Sequence, residues 1–161
     1  MARAPRSARP WLFLDVDGVL VPFPGCPQGF RERALIPGGP PVALAEAHRG
    51  WLHELSSVFE LAWATGWGPS ANRSLSPFFG LPQLPAAQLP PGPFQPGLKV
   101  PGVDALAHDR PAAWIDDIVT EEAKDWAAER PAPTLLVETD PARGLTRGLV
   151  ERLLAWGKAL S

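Results

Sequence analysis

The segment Val58-Phe-Glu-Leu-Ala-Trp-Ala64 is apolar at nearly every position, and so are Trp11-Leu-Phe-Leu14 and Thr134-Leu-Leu-Val137. Runs this short and this continuous lack the alternation of a strand with one wet face; they read as parallel strands covered on both sides. Such strands need a helix layer on each face. Apolar residues at helical spacing supply one over 44–56, 69–79, 101–108, 120–129 and 146–159. Strands at 11–15, 58–64, 112–116 and 133–138 alternate with those helices. This predicts an α/β fold: a single doubly wound, Rossmann-like domain with a central parallel sheet flanked by helices. The 21 prolines and 15 glycines concentrate in 22–41 and 77–102, which are expected to be irregular. The first connection, 16–43, is too proline-rich for one crossover helix and is expected to form a hairpin or flap over the end of strand one, a minimal cap.

A chain of 161 residues suits one such domain, expected over 11–161. Arg3, Arg6 and Arg9 make residues 1–10 a basic N-terminus, expected to be flexible. The apolar stretch after them is interrupted at once by Asp15 and Asp17, so it cannot serve as a signal-peptide core, and a cytoplasmic location is the expectation. No stretch has the length of a membrane span, and no membrane partner is expected. Cys26, the single cysteine, excludes an internal disulfide and a zinc cluster. A net charge of −2 gives no global sign of nucleic-acid binding.

In an open parallel sheet, ligands bind beyond the carboxyl ends of the strands. The first strand delivers Asp15 and Asp17 there, at a turn opened by Gly18. The second ends in Thr65 and Gly66-Trp67-Gly68, and strand 112–116 ends in Asp116-Asp117. Lys99, one of three lysines, stands just before the helix that precedes the Asp116 strand. Carboxylates gathered in one pocket repel, and a hard cation such as Mg²⁺, which takes oxygen ligands, resolves the conflict. Metal and lysine together can hold a phosphate dianion. One aspartate can then attack phosphorus while another trades protons with the leaving oxygen and water. Thr65 and the N–H groups of the 66–68 turn, at the start of the next helix, would bind the phosphoryl oxygens.

These residues resemble the haloacid dehalogenase-like hydrolase superfamily, motif by motif: Asp15-Val-Asp17-Gly18-Val19, Trp63-Ala-Thr65-Gly66, Lys99, and Trp114-Ile-Asp116-Asp117. The resemblance implies that Asp15 is the nucleophile and Asp17 a general acid/base that also offers its carbonyl to Mg²⁺. It makes Thr65 and Lys99 the binders of phosphate and intermediate. Asp116 becomes a metal ligand, with Asp117 a ligand through water or an orienting neighbour. An aspartate at position 17 favours phosphoryl transfer over dehalogenation, so the implied activity is that of a Mg²⁺-dependent phosphatase. Leu61-Ala-Trp-Ala-Thr-Gly-Trp67 with Asn72, and Thr139-Asp-Pro-Ala-Arg-Gly-Leu-Thr146, are similar to small members that occur alone or fused to RNA-repair enzymes. That suggests a nucleotide or a nucleic-acid end as substrate. Neither gap between motifs can house a cap domain of ordinary size.

Plainer roles compete at several positions. Asp-x-Asp-Gly could begin a calcium loop, but that pattern wants oxygen ligands where Val19 and Cys26 stand. Thr65 could be a helix cap, Lys99 a surface group and Asp117 the cap of the helix near Thr120. Trp67 could stack on a base or pack against the flap; Asn72 could reach a substrate hydroxyl or bond backbone. Arg143 could touch a phosphate, though a turn is the expected role of its segment. His48, His53 and His108 are expected on helix surfaces. Two other functions stay open beside the phosphatase: a non-catalytic module that binds phosphorylated ends, and a small-molecule 5′-nucleotidase.

Overall fold

The computed structural model describes residues 9–160. Strand β1 (Trp11–Leu14) leads into an antiparallel hairpin of β2 (Arg31–Ala34) and β3 (Pro41–Leu44), then helix α1 (Ala47–Ser56) and β4 (Glu60–Trp63). A π-helical turn (Ala71–Leu75) runs into the single turn α2 (Ser76–Phe78), and a 3₁₀ turn (Pro96–Lys99) into α3 (Val100–Ala107). Then follow β5 (Ala112–Asp116), α4 (Glu121–Glu129), β6 (Thr134–Glu138) and α5 (Arg147–Ala159).

The sheet is parallel throughout, in the order β4-β1-β5-β6, with Leu12 opposite both Leu61 and Ala113. Successive side chains point to opposite faces, which explains why the runs are apolar without alternation. Leu12, Leu14, Trp63 and Ile115 meet Leu52 and Leu55 of α1 and Val150 and Leu153 of α5. Trp11, Phe13, Ala62 and Trp114 meet Val103 and Ala107 of α3 and Ala123 and Trp126 of α4. The chain winds from β1 to β4 in one direction, then crosses back past β1 to β5. The carboxyl end of β1 is therefore the switch point, where a doubly wound sheet opens a crevice.

The α/β, Rossmann-like reading holds, and two local expectations need correction. The first connection contains a hairpin, but β3 occupies 41–44, so α1 starts at Ala47 rather than at 44. The helix expected over 69–79 is present over 69–78, with a π-helical turn (Ala71–Leu75) inside it. Pro77 has no N–H to give the carbonyl four residues back, which fits the loss of regular α geometry in the turn just before it. His48 is buried, not on a surface: its Nε2 lies 3.3 Å from the Leu145 carbonyl, and Phe30, Trp51 and Phe79 pack around the ring. Residues 1–8 of the basic N-terminal segment lie outside the described residues. At its end, Arg9 Nη1 donates to the Ser56 carbonyl at 2.8 Å. Among the described residues, no helix is long and apolar enough to cross a membrane.

Candidate phosphate and metal site

Asp15 follows β1 directly, and its backbone N–H donates to the Ile115 carbonyl, so the sheet ladder fixes it beside β5. One carboxylate oxygen, Oδ1, accepts from the Val16 N–H at 2.8 Å and lies 3.2 Å from Lys99 Nζ. Asp116, the last residue of β5, takes the same ammonium at 2.7 Å through Oδ2 and accepts the Ile118 N–H through Oδ1. Asp15, Lys99 and Asp116 are each about 95% or more buried. Lys99 gets there because the 3₁₀ turn ahead of α3 aims it inward, across the mouth of the sheet. It is no surface lysine.

Carboxylate oxygens of Asp15, Asp116 and Asp117 all lie within 4.8 Å of one another. Burial lifts the Asp15 carboxyl to about 8, against the pull of Lys99, and the charge of Asp116 adds to the rise. Burial raises Asp117 as well, opposed by its hydrogen bond with Asp15 and reinforced by Asp116. Three hard oxygen donors facing one another, with one ammonium between two of them, carry more negative charge than the site neutralises. A hard dication fits this donor set, and Asp15, Asp116 and Asp117 are the residues that would hold it.

Asp17, expected to meet the metal through its carbonyl, adds no carboxylate to this cluster. Its side chain lines the same cleft, where Oδ1 accepts the Trp67 indole N–H at 3.2 Å. The turn itself is tight: Gly18 has φ +81°, and its N–H donates to the Val21 carbonyl at 2.7 Å. A Cβ at residue 18 would stand 2.5 Å from Cγ of Asp117, so glycine is what lets the two motifs touch. Thr139, at the end of β6, buttresses the turn by donating its hydroxyl to the Gly18 carbonyl at 2.6 Å.

Thr65 is buried next to β1, since Ala64 N–H donates to the Leu14 carbonyl, and its hydroxyl oxygen accepts the Trp67 N–H at 3.2 Å. That hydroxyl organises the 65–67 turn rather than capping a helix. Gly66 and Trp67 line the cleft, and the helical stretch 69–78 begins directly after this turn. Asn72 is not brought to the cleft. Its Oδ1 accepts from Trp63 Nε1, Ser76 Oγ and the Leu84 N–H, and its Nδ2 donates to the Leu84 carbonyl, so every polar group is spent inside the fold. Asp117 does not cap α4; Thr120 does, accepting the Ala123 N–H at 3.1 Å.

The cleft has a volume of about 350 Å³, and Asp15, Asp17, Lys99, Asp116 and Asp117 form its charged part. Phe23, Phe94 and Ile118 complete its walls. None of these three was singled out from the sequence; the signal was a phenylalanine isolated among prolines and glycines, in Pro22-Phe23-Pro24 and Pro93-Phe94-Gln95-Pro96. A larger cleft of about 530 Å³ passes Arg9 and Glu60 near the opposite end of β4. Those two charges are already engaged, Arg9 with Ser56 and Glu60 with Arg110. No model of a known protein family matches the chain, and no curated protein matches it.

Proposed function

We propose that the protein is a phosphomonoester hydrolase that works through an aspartyl-phosphate on Asp15. The observation that carries this reading is the buried Lys99 ammonium set between Asp15 and Asp116, at 3.2 and 2.7 Å, at the switch point of a parallel sheet. A buried triad of this kind is a poor way to gain stability, since desolvating three charges offsets most of their attraction. It is a good way to hold a dianion beside a nucleophile.

Asp15, Asp116 and Asp117 would hold Mg²⁺, which supplies positive charge against the phosphoryl oxygens and the nucleophile. Lys99 Nζ supports the same oxygens from the cleft wall. An oxygen of Asp15 forms a bond to phosphorus as the ester P–O bond breaks, and Asp17 gives its proton to the departing oxygen. Asp17, now a carboxylate, takes a proton from water. That water's oxygen bonds to phosphorus, the Asp15–phosphorus link breaks, and inorganic phosphate leaves. The Trp67 indole N–H, bonded to Asp17 Oδ1, holds that carboxylate towards the leaving oxygen during both proton transfers. Thr65 fixes the turn from which Gly66 faces the phosphate.

The test is turnover of a generic aryl phosphate. Asp15→Asn is expected to abolish phosphate release, as is EDTA, with Mg²⁺ restoring the wild type alone. Metal-independent release that survives Asp15→Asn overturns the reading. Tight capture of phosphorylated ends without release at saturating Mg²⁺ would instead mark a binding module.

A further inference from the structure

The charged part of the cleft faces hydrocarbon. Phe23, Phe94 and Ile118 are 45%, 50% and 50% exposed, and all three line this one cleft, with Pro96 and Trp67 beside them. Among the described residues, Ile36 is the one other large apolar side chain so exposed. Single exposed apolar residues are ordinary, but three converging on one concave site from separate segments are not. Each is held in place. The Phe23 N–H donates to the Pro141 carbonyl at 2.9 Å, and the Ile118 N–H to Asp116 Oδ1 at 3.0 Å. The Phe94 ring lies in van der Waals range of a Cβ placed on Gly66 and 5.7 Å over Lys99 Nζ.

Charge decides what can lie there. Four carboxylates line the cleft, and Lys99 is its one cation among the described residues, already shared by Asp15 and Asp116. A polynucleotide end brings further phosphates, which need arginine or lysine contacts of their own. Here they would meet Asp17 and Asp117. An uncharged flat ring instead gains contact with two phenylalanine rings and loses little hydration.

We propose that Phe23 and Phe94 form a leaving-group subsite that selects monoesters whose organic part is a compact, uncharged aromatic ring. This rests on the phosphohydrolase reading for which end of the ligand the carboxylates handle, but the preference itself is a binding property and is tested as one. Benzylphosphonate, cyclohexylmethylphosphonate and methylphosphonate are titrated calorimetrically into the full chain with Mg²⁺, beside a 5′-phosphorylated tetranucleotide. The benzyl compound is expected to bind about tenfold or more tighter than the methyl one, and more tightly than the cyclohexylmethyl one or the tetranucleotide. Phe23→Ala/Phe94→Ala should remove about tenfold of the benzyl affinity and leave methylphosphonate unchanged. Phe23→Leu/Phe94→Leu, which keeps apolar bulk, should lose the benzyl over cyclohexylmethyl preference alone. Equal affinities across the three phosphonates, indifference to both double variants, absent binding, or a tetranucleotide bound best would each overturn the subsite. An enzyme that releases no phosphate from any ester yet keeps the benzyl preference would sink the hydrolase reading and leave the subsite standing.

Discussion

Gly18 shows how much a single backbone position decides. Its φ of +81° lies where a side chain is strained, and a Cβ there would run into Asp117. Gly18→Ala is therefore expected to destabilise the fold by about 1–3 kcal/mol and to displace Asp117. Activity should fall further than stability accounts for, which comparing kcat at a fixed folded fraction would show. Trp67 is a gentler probe. Trp67→Phe keeps the ring but removes the N–H given to Asp17 Oδ1, and a hydrogen bond to a charged group is commonly worth about 1.5–3 kcal/mol. The expected outcome is a drop in kcat of about tenfold or more with little change in KM; a loss carried by KM alone would assign Trp67 to binding instead. Asp15 and Asp116 were legible from the sequence because a strand end places a charge where only a ligand or a partner can satisfy it, whereas Lys99 stands in a turn before α3, where a surface role competed. The Trp67–Asp17 bond was not, because it joins residues fifty apart in the chain through side-chain atoms that no spacing reveals, whereas the backbone bonding of Asn72 was one of the two roles open to it.

At the level of elements, covered strands were readable to within a residue or two because burial on both faces writes itself as continuous apolar sequence. The β2–β3 hairpin was expected within 16–43, but the sequence did not bound its strands. Arg31-Glu-Arg-Ala34 is exposed along its length, so no hydrophobic pattern marks it. His48 escaped for a related reason: it sits on α1 among apolar neighbours, but its role is to join α1 to the approach of α5. Burial lowers its pKa to about 4, with the Leu145 carbonyl opposing, so the ring folds neutral. A group whose folded pKa lies below its unfolded value gives stability that is intact above about 6.5 and is lost as pH falls towards 4. Full loss amounts to about 3 kcal/mol. His48→Gln offers an amide donor that does not titrate. The melting-temperature advantage of wild type over this variant should shrink steadily from pH 6.5 to pH 4; a difference that stays constant over that range would remove His48 from the acid sensitivity.

For the molecule as a whole, the carboxylate site sets function against stability. Asp15 has its pKa raised from 3.8 to about 8, so its stabilising form is the protonated one; that contribution is fully present below 3.8 and is lost as pH rises through 8. Asp117 is shifted in the same direction. Without metal, the protein should therefore weaken between pH 5 and pH 8 through these groups, the range in which a nucleophilic Asp15 must be ionised. Asp15→Asn mimics the protonated side chain and should melt above wild type in EDTA at pH 8, with the gap closing towards pH 4. A dication that binds the folded cluster alone acts in the opposite sense. At one hundred times its dissociation constant it adds about 2.7 kcal/mol, which for a chain of this length raises the melting temperature by roughly 5 to 10 °C. Mg²⁺ should give wild type that rise at pH 8 and give Asp15→Asn much less. Melting curves of the two proteins, with EDTA and with Mg²⁺ at pH 5 and pH 8, check both signs at once. Identical curves for wild type with and without Mg²⁺ would mean that Asp15, Asp116 and Asp117 hold no ion. A wild type that outlasts Asp15→Asn in EDTA at pH 8 would mean that Lys99 outweighs burial and keeps Asp15 charged.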